Sequence, residues 1–299
     1  MPDTWKLTMP CSKRDAEALS EDISALAGLD PPPALMTSEP DPAHPDEMEL
    51  AVYLEEEPGP EFVALLRPLL PTSPHAEPRI ELLPDEDWVE LSQQGLEPVE
   101  AGRFLVHTAK DRARIPAEMI GIQVEASRAF GTGHHPTTAG CLRAIDALKK
   151  SPDRVLDLGC GTALLAIAAA KLFPDALISA SDIDEPSLEI ARETLDANGV
   201  KEGEAPGEIM LVAADGLDSG RLSMRMPYDV ILANILAQPL ISLSTDIAEA
   251  LAPGGMLVLA GLLTDQAGAV AAAYRGAGLA PVAADPNDGW PILTFTRAA

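Results

Sequence analysis

Two glycines in the second half of the chain, Gly159 and Gly161, follow a short apolar segment and precede a longer one. The first segment, residues 155–158, is typical of a buried strand, and the second is long enough for a helix. Glycines at such a junction let the backbone turn tightly and approach a ligand without a Cβ in the way. The dinucleotide pattern GxGxxG needs a third glycine where this chain has Leu164, which disfavours a nicotinamide-dependent oxidoreductase.

Asp182 stands at the end of the next apolar segment, 23 residues beyond Gly159. A carboxylate at that place accepts hydrogen bonds from both ribose hydroxyls of a nucleoside cofactor. The other interpretation, a cap for the helix expected from Glu185, fits Asp184 better because that residue directly precedes the helix. Asp182 therefore predicts a nucleoside cofactor without identifying which one.

Asn234 is a polar residue between apolar ones, directly after the predicted strand over residues 229–233. Open α/β sheets bind their ligands at the carboxyl ends of the strands. A side-chain carbonyl there could accept a hydrogen bond from a substrate amine and aim the nitrogen lone pair at a methyl group. The alternative is a cap for the helix that follows.

Residues 129–138 predict a flap that leads into a helix, with two glycines, Gly131 and Gly133, and hydroxyls that include Thr138. Backbone donors at a helix N-terminus favour closure over a polar ligand. The adjacent His134 and His135 suggest a metal, but no carboxylate lies nearby at ligand spacing. We therefore expect no metal site, and a role for His135 in ordering the loop.

Strand-length and helix-length segments follow a different order in the two halves of the chain. The first half predicts βαββαβ, a small ferredoxin-like α+β domain, with strands over residues 5–9, 34–37, 48–54 and 79–83 and helices over 13–27 and 60–70. The second half alternates strands with helices, which predicts a Rossmann-like, mostly parallel sheet ending in an antiparallel hairpin. The predicted strands cover residues 155–158, 177–181, 209–213, 229–233 and 256–260, and the predicted helices cover 137–149, 163–173, 185–197, 239–251 and 265–276. The expected division is a domain over residues 1–84, a linker over 85–111 and a second domain over 112–299.

Acidic residues dominate the chain, with 47 Asp and Glu against 21 Lys and Arg and a net charge of −26. The first 100 residues carry 23 acidic and 5 basic side chains, a net charge of −18. Such a charge repels nucleic acid and favours a basic protein partner, unless it serves only solubility. Three cysteines without a CxxC pair, and no signal peptide or membrane span, predict a cytoplasmic protein.

Taken together, these motifs resemble the ribosomal protein L11 methyltransferase family, whose members are class I S-adenosylmethionine enzymes. The resemblance rests on four stretches: Phe-Gly-Thr-Gly-His-His-Pro-Thr-Thr at 130–138, Asp-Leu-Gly-Cys-Gly-Thr at 157–162, Asp-Ile-Asp at 182–184 and Asn-Ile-Leu-Ala at 234–237. It covers residues 112–299. The first 85 residues match the family's small substrate-recognition domain in size and element order, and Trp88 resembles the start of its linker.

The resemblance implies a cofactor, S-adenosylmethionine, and positions for its contacts. Thr138 would close on the methionine part, Gly159 would lie against it, Gly161 shares that loop, and Asp182 would hold the ribose. Asn234 would contact the cofactor and act as the catalytic residue. It stands where many amine and amide methyltransferases carry Asn-Pro-Pro-Tyr, and Ile-Leu-Ala in place of the last three residues implies a roomier pocket, which suits an amine that receives several methyl groups.

The implied reaction is methyl transfer to lysine ε-amines, the N-terminal α-amine, or both, of ribosomal protein L11. One alternative is another protein substrate, such as a release-factor glutamine, which the missing Asn-Pro-Pro-Tyr disfavours. A nucleic-acid methyltransferase is disfavoured by the charge. A non-catalytic binding module with a retained methyltransferase fold is disfavoured by the intact glycine loop, Asp182 and Asn234. We expect a monomer, since no heptad repeat appears.

Overall fold

The computed structural model of the chain describes residues 4–13, 15–16, 34–38, 47–54, 57–73, 76–83, 98–125 and 136–298. The chain divides into two compact units, residues 1–92 and 93–299. Within the described ranges, no helix is both long and apolar enough to cross a bilayer.

The first unit contains a four-stranded antiparallel sheet of order β2-β3-β1-β4. Alternate residues of the central strands, such as Leu7 and Val52, are buried and meet in register, and Leu66 and Leu70 pack in the same core. Its elements are β1 (Thr4–Ser12), β2 (Ala34–Ser38), β3 (Glu47–Leu54), helix α1 (Pro60–Leu66), a 3₁₀ turn (Arg67–Leu69) and β4 (Arg79–Leu83).

All four strands predicted for this unit are present, and so is the second helix. The first predicted helix, over residues 13–27, lies mostly outside the described residues. The ferredoxin-like description of the unit therefore stays a prediction.

The second unit opens with a small three-stranded sheet: β5 (Val99–Ala101), β6 (Phe104–His107) and β7 (Ile120–Gln123). Phe104 and Val106 are buried in one core with Val155 and Ile178 of the large sheet. The predicted linker over residues 85–111 thus contains two strands that pack on the large sheet. Apolar runs of three or four residues are too short to reveal such strands by periodicity.

The large sheet has seven strands in the order β10-β9-β8-β11-β12-β14-β13. Every pair is parallel except those made by β14, which is antiparallel to both neighbours, so the predicted parallel sheet with a terminal hairpin is confirmed. The strands are β8 (Arg154–Leu158), β9 (Leu177–Asp182), β10 (Ile209–Ala213), β11 (Tyr228–Asn234), β12 (Leu251–Ala260), β13 (Leu279–Asp285) and β14 (Ile292–Arg297).

Helices cover both faces of this sheet, because successive strand residues are buried on opposite sides. Val155 belongs to the core on one face and Leu156 to the core on the other, the pattern of a parallel sheet. The helices are α2 (Pro136–Asp146), α3 (Leu164–Leu172), α4 (Glu185–Ala197), α5 (Gly220–Ser223), α6 (Ala237–Ser242), α7 (Ser244–Ala250) and α8 (Ala267–Gly276).

One predicted helix, over residues 239–251, is wrong in its extent. The segment forms two short helices that meet at Leu243, and β12 already begins at Leu251. Ser242 donates its hydroxyl to the Gln238 carbonyl one turn back, a bond that bends helices.

Candidate active site

The sheet order places three predicted site residues at one edge. Strands β9, β8 and β11 are neighbours and run parallel, so their carboxyl ends open on the same side. Gly159 follows β8, Asp182 ends β9 and Asn234 ends β11. From β8 the chain continues to β9 and β10 on one side of the sheet and then returns to form β11 and β12 on the other side. Ligands bind to α/β sheets at the point where the strand order reverses in this way.

The loop after β8 requires glycine for two reasons. Gly159 and Gly161 have φ angles of +70° and +50°, which side chains with a Cβ rarely adopt. A Cβ on Gly159 would also overlap the Ile235 side chain. Two backbone N–H groups of the loop, from Gly159 and Cys160, donate to the Ser181 carbonyl at 2.8 and 2.9 Å and hold the loop against the end of β9.

Asp182 contacts the glycine loop directly. Its Oδ2 accepts a hydrogen bond from the Gly161 N–H at 2.8 Å, and its Oδ1 accepts one from the Asp184 N–H at 3.1 Å. The residue is partly exposed, and each oxygen keeps a further acceptor site. Asp184 instead caps α4 by accepting from the Ser187 N–H at 3.1 Å, as predicted.

Asn234 is the last residue of β11, paired in register with Ala260 of β12, and it is half-buried. The next helix begins at Ala237 with Leu236 in the cap position and no side-chain cap. The capping interpretation of Asn234 is therefore wrong, and its amide is left for another partner.

The segment after Asn234 is fixed by close packing. A Cβ on Gly261, where φ is +83°, would lie 2.5 Å from the Ile235 carbonyl oxygen. Ile235 thus lies between Gly159 and Gly261. The predicted glycine loop and the Asn-Ile-Leu-Ala segment are brought together, and Gly261 is a contributor that the sequence pattern did not single out.

Thr138 reaches the same edge on a different element. It lies in the first turn of α2 and is buried, and α2 packs against β11, β12, β14 and α3. The Pro136 carbonyl accepts a hydrogen bond from Asn287, just beyond the carboxyl end of β13. The flap residues 129–135, with His134 and His135, lie outside the described residues.

Asp157, the first residue of the Asp-Leu-Gly-Cys-Gly-Thr motif, is a buried carboxylate that the pattern did not predict as a site residue. It is 1% exposed, and its Oδ2 accepts a hydrogen bond from the Ala166 N–H at 2.9 Å in the first turn of α3. Burial raises its pKa to about 7, and the nearby Asp182 adds to that rise. The signal was a charged residue inside an apolar strand.

The described residues hold no group of three or more His, Cys, Asp and Glu side chains that could bind a metal ion. Cys160 lies in the glycine loop, where burial raises the pKa of its thiol, so it is protonated at neutral pH and a poor nucleophile.

This sheet order, with its glycine loop against an acidic strand end, is that of a class I methyltransferase. The family model for ribosomal protein L11 methyltransferase matches residues 33–298. The chain belongs to the ribosomal protein L11 methyltransferase family.

Curated relatives of that name agree. The protein from Rhizobium leguminosarum bv. trifolii is 41% identical over 295 residues, which is 98% of either chain. The one from Bradyrhizobium diazoefficiens is 47% identical over 214 residues, covering 71% of this chain and 70% of its own. The solved ribosomal protein L11 methylase of Lactobacillus delbrueckii subsp. bulgaricus has a TM-score of 0.59 at 24% identity, covers 68% of this chain and 99% of its own, and supports the fold.

Proposed function

We propose that this chain transfers methyl groups from S-adenosylmethionine to amines of ribosomal protein L11, at lysine ε-amines, the N-terminal α-amine, or both. The observation that carries the proposal is the direct contact between the glycine loop and Asp182, with Asn234 at the end of the neighbouring strand. When bound, the cofactor's sulfonium supplies an electrophilic methyl group.

The residues at this edge fit a nucleoside that carries an amino acid. Asp182 keeps one acceptor site on each carboxylate oxygen after its two backbone bonds, enough for two ribose hydroxyls. Gly159 and Gly161 present backbone without side chains, so a ligand can lie against the loop. Thr138 would contact the methionine part from α2.

The acceptor amine must lose its proton before it reacts. A lysine with a pKa near 10.4 needs about 4.6 kcal/mol to expose its lone pair at pH 7. Apolar residues flank Asn234, from the buried Ala233 to Leu236, which is 72% exposed. An amine among them is desolvated, which lowers its pKa, and the Asn234 carbonyl accepts its N–H and orients the lone pair.

The acidic first unit would dock the basic substrate. Residues 1–92 carry 21 acidic and 5 basic side chains, a net charge of −16, which attracts a basic protein at long range. Attraction of this kind weakens with added salt, since the Debye length is about 10 Å at 0.1 M. We expect kcat/KM for ribosomal protein L11 to fall between 50 and 300 mM salt, while the affinity for the cofactor stays constant.

A cytoplasmic, monomeric enzyme that makes no direct contact with nucleic acid fits this function. The three cysteines are buried and free, as in a reducing compartment. The net charge of −26 opposes contact with phosphates.

The test is intact-mass spectrometry of ribosomal protein L11 from the same cells after incubation with the protein and S-adenosylmethionine. We expect stepwise gains of whole methyl masses, and none with Asp182→Ala. No gain from an enzyme that binds S-adenosylhomocysteine would keep the methyltransferase and reject this substrate. Absence of any such binding would reject the site itself.

A further inference from the structure

The turn between β13 and β14, residues 286–291, has no part in the proposed reaction, yet it is hydrogen-bonded to α2, the helix that carries Thr138. The turn contains a short 3₁₀ helix, Asn287–Gly289. Its first residue, Asn287, has a φ angle of +42°, and the Asn287 N–H donates to Asp285 Oδ1 at 3.0 Å. Asparagine tolerates this left-handed backbone better than most residues with a side chain. The residue type therefore suits the turn, but the turn alone does not explain what its side chain does.

The side-chain amide of Asn287 ties the turn to α2. Its Nδ2 donates to the Pro136 carbonyl at 2.9 Å and to the Trp290 carbonyl at 3.0 Å. Its Oδ1 accepts from Nη2 of Arg143. One amide thus joins two segments that lie 151 residues apart in the chain.

The hydrogen bonds of Asn287 to α2 and its close approach to Gly140 fall on one face of that helix. Pro136, Gly140 and Arg143 are spaced four and three residues apart, which aligns them. A Cβ on Gly140 would lie 3.3 Å from Asn287 Nδ2 and 2.5 Å from Ile292 Cδ1. These contacts therefore hold α2 in place from its first residue, Pro136, to its eighth, Arg143. The lack of a side chain at Gly140 lets Asn287 and Ile292 approach the helix closely.

Thr138 lies on the opposite face of α2 from Pro136, Gly140 and Arg143. At 3.6 residues per turn it is rotated by about 200° from Pro136. Its helix also packs on β11, which ends at Asn234, and on α3, which begins after the glycine loop. A shift of the first turn of α2 would therefore move Thr138 relative to these elements.

We propose that Asn287 is a positioning residue that holds the first turn of α2, and thereby sets Thr138 against the methionine part of the cofactor. This inference rests on the proposed function, which assigns the methionine contact to Thr138. Asn287 itself touches only the protein, so its effect reaches the cofactor through α2.

The test uses the full chain and two ligands. S-adenosylhomocysteine carries the amino-acid part, and 5′-methylthioadenosine has the same nucleoside and sulfur but lacks the amino and carboxylate groups. Asn287→Asp keeps the size and the acceptor for Arg143 but removes the N–H donor to the Pro136 and Trp290 carbonyls. We expect S-adenosylhomocysteine to bind about tenfold more weakly, with 5′-methylthioadenosine unchanged, by titration calorimetry.

A matched control is Thr264→Val, because the Thr264 hydroxyl donates to the Gly289 carbonyl of the same turn, at 3.0 Å, and not to a residue of α2. It should leave both affinities unchanged. Asn287→Gly, which tolerates the backbone angle and lacks the whole side chain, should reproduce the effect of Asn287→Asp even if the aspartate perturbs the fold.

The inference would be overturned if the two Asn287 variants weakened the binding of both ligands equally, or if they weakened the binding of neither ligand. Thr138→Val should show the same selective loss, and Asn287→Asp/Thr138→Val should be no weaker than Thr138→Val alone. Additive losses would show that Asn287 does not act through Thr138. A wild-type protein that binds neither ligand would overturn the proposed function, and this inference with it.

Discussion

The two edges of the large sheet use polar residues in opposite ways. At the amino edge, Arg225 is 8% exposed and donates to the carbonyls of Ile178 and Glu204, both at 2.9 Å. Asp229 accepts the N–H groups of Asp153 and Arg154, again at 2.9 Å. These side chains complete the backbone hydrogen bonding of the fold.

At the carboxyl edge the polar groups keep unused capacity. Asp182 is partly exposed with an acceptor site left on each oxygen, and the Asn234 side chain caps no helix. A charged or polar residue next to a strand is therefore a site candidate when its hydrogen bonding is incomplete. Substitutions at the amino edge should therefore change stability, and those at the carboxyl edge should change chemistry.

The largest expected effect on activity is at the carboxyl edge. Asn234→Ala removes the acceptor that we propose orients the amine, so kcat with ribosomal protein L11 should fall about 100-fold, or roughly 2.7 kcal/mol of transition-state stabilisation. The melting temperature should stay within a degree or two of wild type, since the side chain is only half-buried. Gln238→Ala, an exposed amide on α6, is the control and should keep full turnover. Full turnover of Asn234→Ala would remove the catalytic assignment.

At the amino edge we expect a loss of stability without a loss of ligand binding. Arg225→Ala leaves two backbone carbonyls without their donor, and the free energy of unfolding should fall by about 2 kcal/mol in urea titrations. Affinity for S-adenosylhomocysteine should not change. Arg192→Ala is the control, because its pair with Glu202 is exposed and contributes about 0–1 kcal/mol. Loss of ligand affinity in Arg225→Ala would break the distinction between the edges.

Asp157 should impose a pH dependence on stability. Its pKa is raised from 3.8 unfolded to about 7 folded, so the folded state binds the proton more tightly. The free energy of unfolding should therefore fall from about pH 4 to about pH 7, by at most about 1.4 kcal/mol per pH unit from this group, and level off above.

Asp157→Asn keeps an oxygen for the Ala166 N–H and cannot ionise, so it should lack this component of the slope. Chemical denaturation of both proteins at half-unit steps from pH 4.5 to 8.5 measures the difference. Parallel curves would mean that Asp157 is ionised throughout.

The smallest effect tests how tightly the carboxyl edge is packed. Gly140→Ala gains helix propensity but forces Ile292 aside, and we expect a net loss of about 1 kcal/mol in stability. Gly268→Ala in α8 is the control, because its Cβ would meet no atom within 4 Å, and it should be neutral or slightly stabilising. If the Gly140→Ala protein were more stable than wild type, α2 would not be tightly packed against β14.

Local patterns predicted much of the second unit well. Helix α4 has the predicted bounds, because Asp184 caps it and Pro186 suits its first turn. The strand at Ile209–Ala213 also has its predicted bounds. The strands β5, β6 and β7 were missed because each has only three or four residues and the parallel pairing of β6 with β7 forms in the tertiary structure. The break at Leu243 was missed too, and the Ser242 hydroxyl bond to the Gln238 carbonyl accompanies it.

By itself, the sequence determined the order along the chain of the strands and helices that form the large sheet, and the family, and it predicted Gly159, Gly161, Asp182 and Asn234 as site candidates. These follow from signals that lie within a few neighbouring residues: apolar periodicity, caps and glycine spacing. Only the tertiary structure decided that Asn234 does not cap a helix, that Asp157 is buried with a raised pKa, and that Asn287 holds α2. Each of those depends on groups brought together by packing, and burial and hydrogen bonding between distant segments leave no mark in the local residue pattern.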